Sequence, residues 1–231
     1  MSLSIGKPDD MLAAHPETAY FWGRVAGDGD LESDCVTVRT NDETAARRLA
    51  AVAGAEQVDR RILEREYAHD TSITRTEDEY AVQVFGDLAD RAGAALGLPV
   101  DGEPGGYRFG AFADHDRQLL RGLLEGCGTV CFKSGDGAVS DTSRDSTEEG
   151  SVGVSFVHED RRLLETVQSL LDDVPVDAPY GDPAEASSGY WFGVDDAAVP
   201  DLGPWLYDGS EDTGLFAPSR RRKLRRSLDR I

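Results

Sequence analysis

Two groups of acidic, thiol and imidazole residues have spacings that could suggest a metal site. Alternating acids between Asp28 and Asp34 have the spacing of the first half of a calcium-binding loop. Such a loop needs glycine at its sixth position and an acid at its twelfth, where this sequence has Ser33 and Arg39. We therefore do not interpret this segment as a calcium site.

His115, Cys127 and Cys131 form the second group. Structural zinc sites usually have four ligands, and two cysteines separated by three residues are not a usual zinc spacing. The sequence suggests no fourth ligand, and its histidines do not lie in an HExxH pattern. Three cysteines in the whole chain are an odd, sparse set that is typical of reduced thiols in a cytoplasm. We interpret them as ordinary thiols.

A glycine pattern that occurs twice, 99 residues apart, is the stronger signal. Each copy has two glycines four residues apart: Gly23 and Gly27 in the first copy, Gly122 and Gly126 in the second. Glycines at this spacing lie on one face of a helix and allow a second helix to approach closely. The sequence thus predicts two helices packed through these glycines, with Asp28 and Cys127 side by side at their C-terminal ends. The glycines that follow, Gly29 and Gly128, predict a left-handed turn at each helix end.

The hydrophobic periodicity around each glycine pattern predicts the same series of elements, α-β-β-α-β-β-α. In the first half, the predicted segments after a helix start near Pro16 are Cys35–Arg39, Asp42–Val52, Val58–Tyr67, Tyr80–Phe85 and Leu88–Leu96, with a turn-rich stretch at Asp70–Asp78. In the second half, after a helix start near Asp114, they are Val152–Val157, Asp160–Leu171, Val174–Pro179, Gly189–Val194 and Val199–Tyr207, with an extended loop at Ser134–Gly150. We expect repeats at residues 14–97 and 113–212, a linker at 98–112 and a basic tail at 213–231.

Two such motifs in register, with matching elements downstream, resemble the LAGLIDADG homing endonuclease family in its single-chain, two-repeat form. The resemblance extends over about residues 14–226 and includes Pro204-Trp-Leu-Tyr207-Asp-Gly, which precedes an Arg/Lys-rich segment as in many members. It implies an α+β fold with two pseudo-symmetric αββαββα repeats, in which two antiparallel sheets flank a central two-helix interface. It also implies double-stranded DNA as the partner, and a monomer with internal pseudo-twofold symmetry.

In that family the last acidic residue of each motif helps to bind the divalent ions that cleave DNA. Asp28 matches this catalytic and metal-binding position, but Cys127 occupies it in the second motif, which is therefore degenerate. A neutral thiol is a poor ligand for Mg²⁺, which prefers oxygen. Glu125 lies two residues earlier, about 200° around the helix, and does not replace it. The resemblance thus implies half of a metal site, with Mg²⁺ as the cofactor if the protein is active and none otherwise.

The family binds DNA through one face of each sheet, so basic residues on strand-like runs are candidate DNA contacts. The first half has Arg39, Arg60, Arg61, Arg65 and Arg75, whereas the second has only Lys133. These arginines could equally belong to a solvated face. The tail adds a basic cluster, Arg220, Arg221, Arg222, Lys223, Arg225 and Arg226, after Ser219, a possible helix cap. The alternative is a terminal helix whose arginines pair with acids of the same protein.

Composition limits the remaining possibilities. The net charge is −20 and the pI about 4.4, with three lysines against 21 arginines. This Asp-rich, Lys-poor balance resembles proteins of salt-in halophilic archaea, so it indicates habitat more than partners. The sequence contains no run of eighteen apolar residues, the length needed to span a membrane, and the N-terminus lacks the layout of a signal peptide. We expect a cytoplasmic protein.

Three functions remain open from the sequence. The first is a cleavage-deficient DNA-binding protein, such as a domesticated regulator. The second is an active, sequence-specific endonuclease that uses Asp28 with an unusual second site. The third is a protein-interaction module without nucleic acid, which the weakly basic second sheet favours.

Overall fold

The first half of the chain has the predicted order of elements. A computed structural model describes residues 6–67, 70–133 and 150–231, with only the backbone for 64–67 and 70–75. The elements are α1 (Pro16–Asp28), β1 (Gly29–Glu32), β2 (Cys35–Thr40), α2 (Glu43–Ala53), β3 (Val58–Tyr67), β4 (Asp70–Phe85) and α3 (Leu88–Leu96). Helix α2 begins after Asp42, whose carboxylate accepts hydrogen bonds from the Thr44 and Ala45 amides, and ends at Gly54 in the left-handed conformation.

The second half repeats this order and adds a C-terminal extension. The elements are α4 (Asp116–Cys127), β5 (Gly128–Lys133), β6 (Ser151–His158), α5 (Arg161–Asp172), β7 (Ala184–Ala186), β8 (Gly189–Val194), α6 (Val199–Tyr207), α7 (Ser210–Thr213) and α8 (Pro218–Leu228). Short 3₁₀ turns precede α4 and α6. The loop predicted at Ser134–Gly150 lies, except for Gly150, outside the described residues.

The two halves form two equivalent antiparallel sheets. Their strand orders are β1-β2-β4-β3 and β5-β6-β8-β7. In the first sheet Val38 lies opposite Val82, and in the second Val154 lies opposite Val194, and all four side chains are buried. Because side chains alternate along a strand, one face of each sheet packs in the core and the other faces away from the helices. This is the predicted α+β architecture.

The central helices α1 and α4 join the halves. Residues 18–27 of α1 are all buried, as are residues 119–125 of α4. Tyr20, Phe21 and Trp22 have no exposed surface, and the Trp22 indole donates to the Met11 carbonyl at 2.5 Å. A helix buried on all sides fits a position at the centre of the molecule. The predicted two-helix interface is therefore present.

Two strand predictions were wrong. The turn-rich stretch Asp70–Asp78 is the first part of β4, where pairing with β3 outweighs its polar composition. Val174–Pro179 is not a strand, because Pro175 and Pro179 cannot donate to a ladder, and β7 begins only at Ala184.

The predicted helix-end turns were also wrong. Gly29 (φ −84°, ψ 168°) and Gly128 (φ −89°, ψ 156°) are extended rather than left-handed, because the chain passes directly from each helix into a strand. A Cβ on Gly29 would lie 2.6 Å from the Val25 carbonyl oxygen, so glycine is needed there for close approach. Ser219 does not cap α8, whose N-cap is Ala217.

None of the helices in the described parts of the chain is long and apolar enough to cross a bilayer.

Candidate functional site

The C-terminal ends of α1 and α4 meet through their glycines. A Cβ on Gly23 would collide with the Leu119 carbonyl, and one on Gly122 with the Tyr20 carbonyl. One turn further on, a Cβ on Gly27 would lie 2.9 Å from the Cys127 amide nitrogen. The helices thus touch backbone to backbone along this whole face. The structure thereby places Asp28 and Cys127 at adjoining helix ends.

Asp28 is held by an arginine from its own helix. The guanidinium of Arg24, whose side chain is only 3% exposed, donates to the Asp28 carboxylate at 3.1 Å and to the Arg39 carbonyl at 2.8 Å. About a third of the Asp28 side chain remains open to solvent. Burial by the surrounding protein raises the pKa of Asp28, while the positive charges of Arg24, Arg220 and Arg39 oppose that rise. Asp28 is therefore surrounded by guanidinium groups.

Cys127 is a partly buried thiol that packs against the hydrophobic core. Burial, together with the nearby Asp28 charge, raises the pKa of Cys127 to about 12, so that the thiol stays protonated at neutral pH. Its sulfur donates a weak hydrogen bond to the Leu123 carbonyl at 3.4 Å, within its own helix. Such a group is neither a nucleophile nor a ligand for a hard cation.

A metal-binding cluster is missing from the described residues. No group of three or more His, Cys, Asp or Glu side chains among residues 6–67, 70–133 and 150–231 is arranged to hold a metal ion. The donor set at the helix ends is one carboxylate already paired with Arg24 and one neutral thiol. These residues do not fit a divalent cation.

Sequence reasoning missed the role of Glu125, which is fully buried on α4. Its carboxylate accepts hydrogen bonds from the Tyr20 hydroxyl (2.7 Å), the Tyr207 hydroxyl (3.0 Å) and the Ala217 amide (2.9 Å). Burial raises the pKa of Glu125, and these hydrogen bonds oppose that rise. The position of Glu125 next to the second motif's glycines was the only signal in the sequence, because its partners lie 82 to 105 residues away.

Arg121, also buried on α4, holds the same C-terminal segment. Its guanidinium donates to the carbonyls of Leu206 (2.6 Å) and Leu215 (2.9 Å) and lies 5.7 Å from the Tyr207 ring centre. Arg121 and Glu125 together attach residues 206–217 to the central helix pair. The polar groups of the second motif thus form an anchor for the tail.

The basic residues predicted on strands do not form one patch. Arg39 lies beside Asp28, in a cavity of about 210 Å³ that Arg220 also lines. Arg60, which is opposite the buried Tyr80, is on the helix side of the sheet and pairs with Asp78 at 2.8 Å, whereas Arg61 is on the other face. The Lys133 ammonium lies 2.7 Å from Asp196. Arg65 and Arg75 are opposite each other in the backbone register, but their side chains lie outside the described ones.

The faces of the two sheets that point away from the helices differ in charge. By alternation from the buried core positions, the first face has arginines at 39 and 61 but also the acids Asp30, Glu32, Asp59, Glu77 and Glu79. The second face is almost uncharged. It has small residues such as Ser155 and Gly193, the half-exposed Trp191, and Lys133, which Asp196 neutralises. Neither described face is a basic surface.

The basic tail forms α8, which docks on the protein. The Ser219 amide donates to the Asp42 carboxylate at 2.7 Å, and Leu224 is buried against Gly203 of α6. Burial alone would raise the pKa of Asp42, yet hydrogen bonds from Ser219, Ala45 and Thr44 outweigh it and lower that pKa. Helix α8 thus connects the start of α2 in the first half to α6 in the second.

The chain has two αββαββα repeats, which are joined by two helices that pack through their glycines, and the first of these helices ends in an acid. This is the architecture expected of the LAGLIDADG class. The family model LAGLIDADG_4, described as "Putative archaeal homing endonuclease", matches residues 2–231, and the chain belongs to this family.

Several solved structures are similar to the chain. Full-length DUF199/WhiA from Thermatoga maritima is 13% identical with a TM-score of 0.49, and the match covers 98% of this chain but only 63% of that one. I-DmoI in complex with DNA and Mn is 13% identical with a TM-score of 0.44, covering 88% of this chain and 98% of that one. A variant of I-DmoI with its target DNA in the presence of Mn is 12% identical, also with a TM-score of 0.44, covering 89% and 96%. No curated protein matches the chain.

Proposed function

We propose that this protein is a LAGLIDADG-type DNA-binding protein that does not cleave DNA by a metal-dependent mechanism. The observation that carries the proposal is the ion pair between Arg24 and Asp28, formed at a helix end that adjoins Cys127. The acid retained in the first motif is already neutralised by a guanidinium from the same helix. The second motif contributes no acid at that position.

The physics of the helix ends supports the absence of cleavage. Two carboxylates at the negative ends of two helix dipoles repel each other, and a hard cation between them relieves the repulsion. A single carboxylate has a simpler counterion, and Arg24 supplies it at 3.1 Å. Mg²⁺ would have to displace this guanidinium and would gain no second carboxylate. We therefore assign no catalytic step to a metal ion.

Membership of the family supports DNA as the partner, and so does α8, a strongly basic element in an acidic chain. A protein-interaction module is the second candidate. The nearly uncharged second sheet face with Trp191 43% exposed favours it, since charged residues are depleted and aromatic residues enriched at the centres of protein interfaces. An active endonuclease would require a ligand set that the helix ends do not provide.

A binding and cleavage assay separates these candidates. The protein is mixed with a pool of duplex genomic fragments over a range of KCl concentrations, retained fragments are recovered by electrophoretic shift, and a plasmid containing them is incubated with Mg²⁺ or Mn²⁺. We expect retention without double-strand cleavage. Metal-dependent cutting would refute the loss of cleavage, and no retention at any salt concentration would refute DNA binding and favour the protein-interaction module.

Substitution of Cys127 tests the metal argument directly. Cys127→Asp restores two acids at the helix ends and should bind Mn²⁺ more tightly than the wild type in calorimetry, whereas the matched Cys127→Ser should not. Adding Arg24→Leu, which copies Leu123 at the equivalent position of α4, should strengthen binding further because it frees Asp28. Equal Mn²⁺ binding by all variants would mean that position 127 does not belong to a metal site.

A further inference from the structure

Apart from Arg220, which lines the cavity beside Asp28, the basic residues of α8 and of the residues after it fall into two groups with different surroundings. Arg221 pairs with Glu211 and lies 5.0 Å from the Phe216 ring centre, and Arg225 lies 3.7 Å from the same Glu211. On the same side of α8, Leu224 is buried against α6. This side attaches the helix to the protein.

The second group is an outward stripe formed by Arg222, Lys223, Arg226 and Arg230. All four are exposed, and no acid in the described ranges 6–67, 70–133 and 150–231 pairs with any of them. Arg230 lies over the Phe132 ring at 5.3 Å. The stripe and this ring line a groove of about 350 Å³ between α8 and the edge strand β5. Among the described residues, Arg222, Lys223 and Arg226 have neither an ion pair nor a ring contact, so these three cations are not used to attach the helix.

The length of the stripe allows contact with several phosphates of a nucleic acid. Arg222 and Arg226 lie one turn apart on the same side of α8, and Arg230 follows four residues later, just beyond the end of the helix at Leu228. The three residues span roughly 12 Å at about 1.5 Å per residue. Duplex DNA carries one phosphate per about 1.7 Å of its axis when both strands are counted, so a surface of this length beside it faces several phosphates. In a chain of net charge −20, four adjacent unpaired cations form an isolated positive surface.

The surroundings favour DNA over a membrane. An amphipathic helix that binds a lipid surface inserts an apolar face beside its basic residues. The apolar side of α8 is instead buried against the protein at Leu224, and the only large exposed hydrophobic residue of the described tail is the terminal Ile231. The stripe therefore offers charge without an apolar face for insertion.

We propose that this stripe contacts the phosphate backbone of duplex DNA and supplies a large part of the protein's electrostatic affinity. This inference rests on the proposed function, because it names the surface through which DNA is bound. It differs from the expectation that all basic residues of the tail act together, since Arg221 and Arg225 are assigned to the attachment of α8.

The test compares two triple variants with the same change in net charge. One is Arg222→Gln with Lys223→Gln and Arg226→Gln, which removes the centre of the stripe. The matched control is Arg47→Gln with Arg91→Gln and Arg161→Gln, three arginines whose side chains are 50–73% exposed and form surface ion pairs elsewhere. Binding of a random-sequence duplex is measured by fluorescence anisotropy over a series of KCl concentrations, and thermal melts check that both variants are folded.

We expect the stripe variant to lose affinity about tenfold or more, and its slope of log K against log salt to fall by about 2.7, or 0.9 for each of three phosphate contacts. The control variant should keep most of its affinity for DNA and most of its salt dependence. Equal behaviour of the two variants would overturn the inference while leaving DNA binding intact. No binding by the wild type would overturn the proposed function as well. Loss of binding to phosphatidylglycerol vesicles but not to DNA in the stripe variant would assign the surface to lipid and also overturn the inference.

Discussion

The central helices α1 and α4 have the same backbone contact but opposite polar chemistry. In α1 the polar groups are Arg24 and Asp28, which pair with each other at the end of the helix. At the equivalent positions α4 has Leu123 and Cys127, and its polar groups are Arg121 and Glu125, where α1 has Trp22 and Ala26. The first motif thus neutralises its own acid, and the second binds the C-terminal segment.

The difference extends to the spaces beside the two helices. Next to Asp28, the tail residues Ala217 and Arg220 line a cavity of about 210 Å³. The pseudo-symmetric cavity lies next to Ala26, the α1 residue equivalent to Glu125. It is lined by the linker and the start of α5, and its volume is about 740 Å³. The comparison teaches that two copies of one helix pattern can place their buried polar groups at different positions, for an ion pair at the end of α1 and for anchorage of the tail on α4.

The largest expected effect is at the contact that both helices share. Gly122→Leu should destabilise the protein by more than about 3 kcal/mol, because its side chain would meet the Tyr20 carbonyl and the Arg24 amide, which are backbone groups that cannot move aside. Urea denaturation followed by circular dichroism measures this. The control is Gly181→Leu, since Gly181 has open space around it and no positive φ. Similar midpoints for both variants would contradict the close contact.

A somewhat smaller effect is expected at the anchor that only α4 has. Glu125→Ala should cost about 3 kcal/mol, because it leaves the Tyr20 and Tyr207 hydroxyls and the Ala217 amide without their acceptor. Glu125→Gln retains one acceptor oxygen and should cost less in the same urea titration. The pKa of Glu125 is higher in the folded state than in the unfolded state. The contribution of this carboxyl to the free energy of unfolding is therefore fully present below its unfolded pKa and is lost as pH rises through the folded pKa.

The stability difference between wild type and Glu125→Gln should therefore be greatest at acidic pH and shrink on the way to neutral. A difference that stays constant over that range would show that Glu125 titrates normally. An alanine variant as stable as the glutamine variant would show that the three hydrogen bonds do not hold the tail.

The smallest effect is expected where the tail reaches the first half. Asp42→Asn retains a good N-cap for α2 but weakens the hydrogen bond from Ser219, and should cost about 1 kcal/mol. Asp160→Asn is the matched control, because Asp160 caps α5 in the same way, without a tail contact. The folded-state pKa of Asp42 is lowered, so its contribution is present above the unfolded pKa and lost as pH falls through the folded pKa.

Calorimetric melts at neutral and strongly acidic pH measure the two asparagine variants. At neutral pH, Asp42→Asn should lose more stability than Asp160→Asn, and this difference should disappear at acidic pH. The same cost for both variants at every pH would mean that the Ser219 contact contributes nothing to stability.

Local patterns were enough for most of the fold. The glycines four residues apart and the alternating strands predicted both repeats. Predictions were wrong where pairing between distant segments decided the outcome. Residues 70–78 have a turn-like composition but pair with β3. In Val174–Pro179, apolar residues alternate as in a strand, but the prolines lack the amides that a β-ladder needs.

The candidate site was predicted in outline only. The mismatch between Asp28 and Cys127 is visible in the sequence, whereas the roles of Arg24 and Glu125 are not. Arg24 could have been a surface residue, yet it is 3% exposed and lies against Asp28. Nor could spacing separate the two groups of basic residues in α8, because only the position of Glu211 decides which of them are paired.

The sequence by itself determined the repeated architecture, the helix pair at its centre and the absence of a second acid at position 127. These follow from residue type and spacing within about ten residues, where helix geometry and steric exclusion act directly. The tertiary structure alone decided that Arg24 neutralises Asp28, that Glu125 and Arg121 hold the tail, and that the basic stripe of α8 has no acidic partner among the described residues. The charge state and pairing of a side chain depend on which distant groups surround it and on how much water they exclude, and only folding brings those groups together.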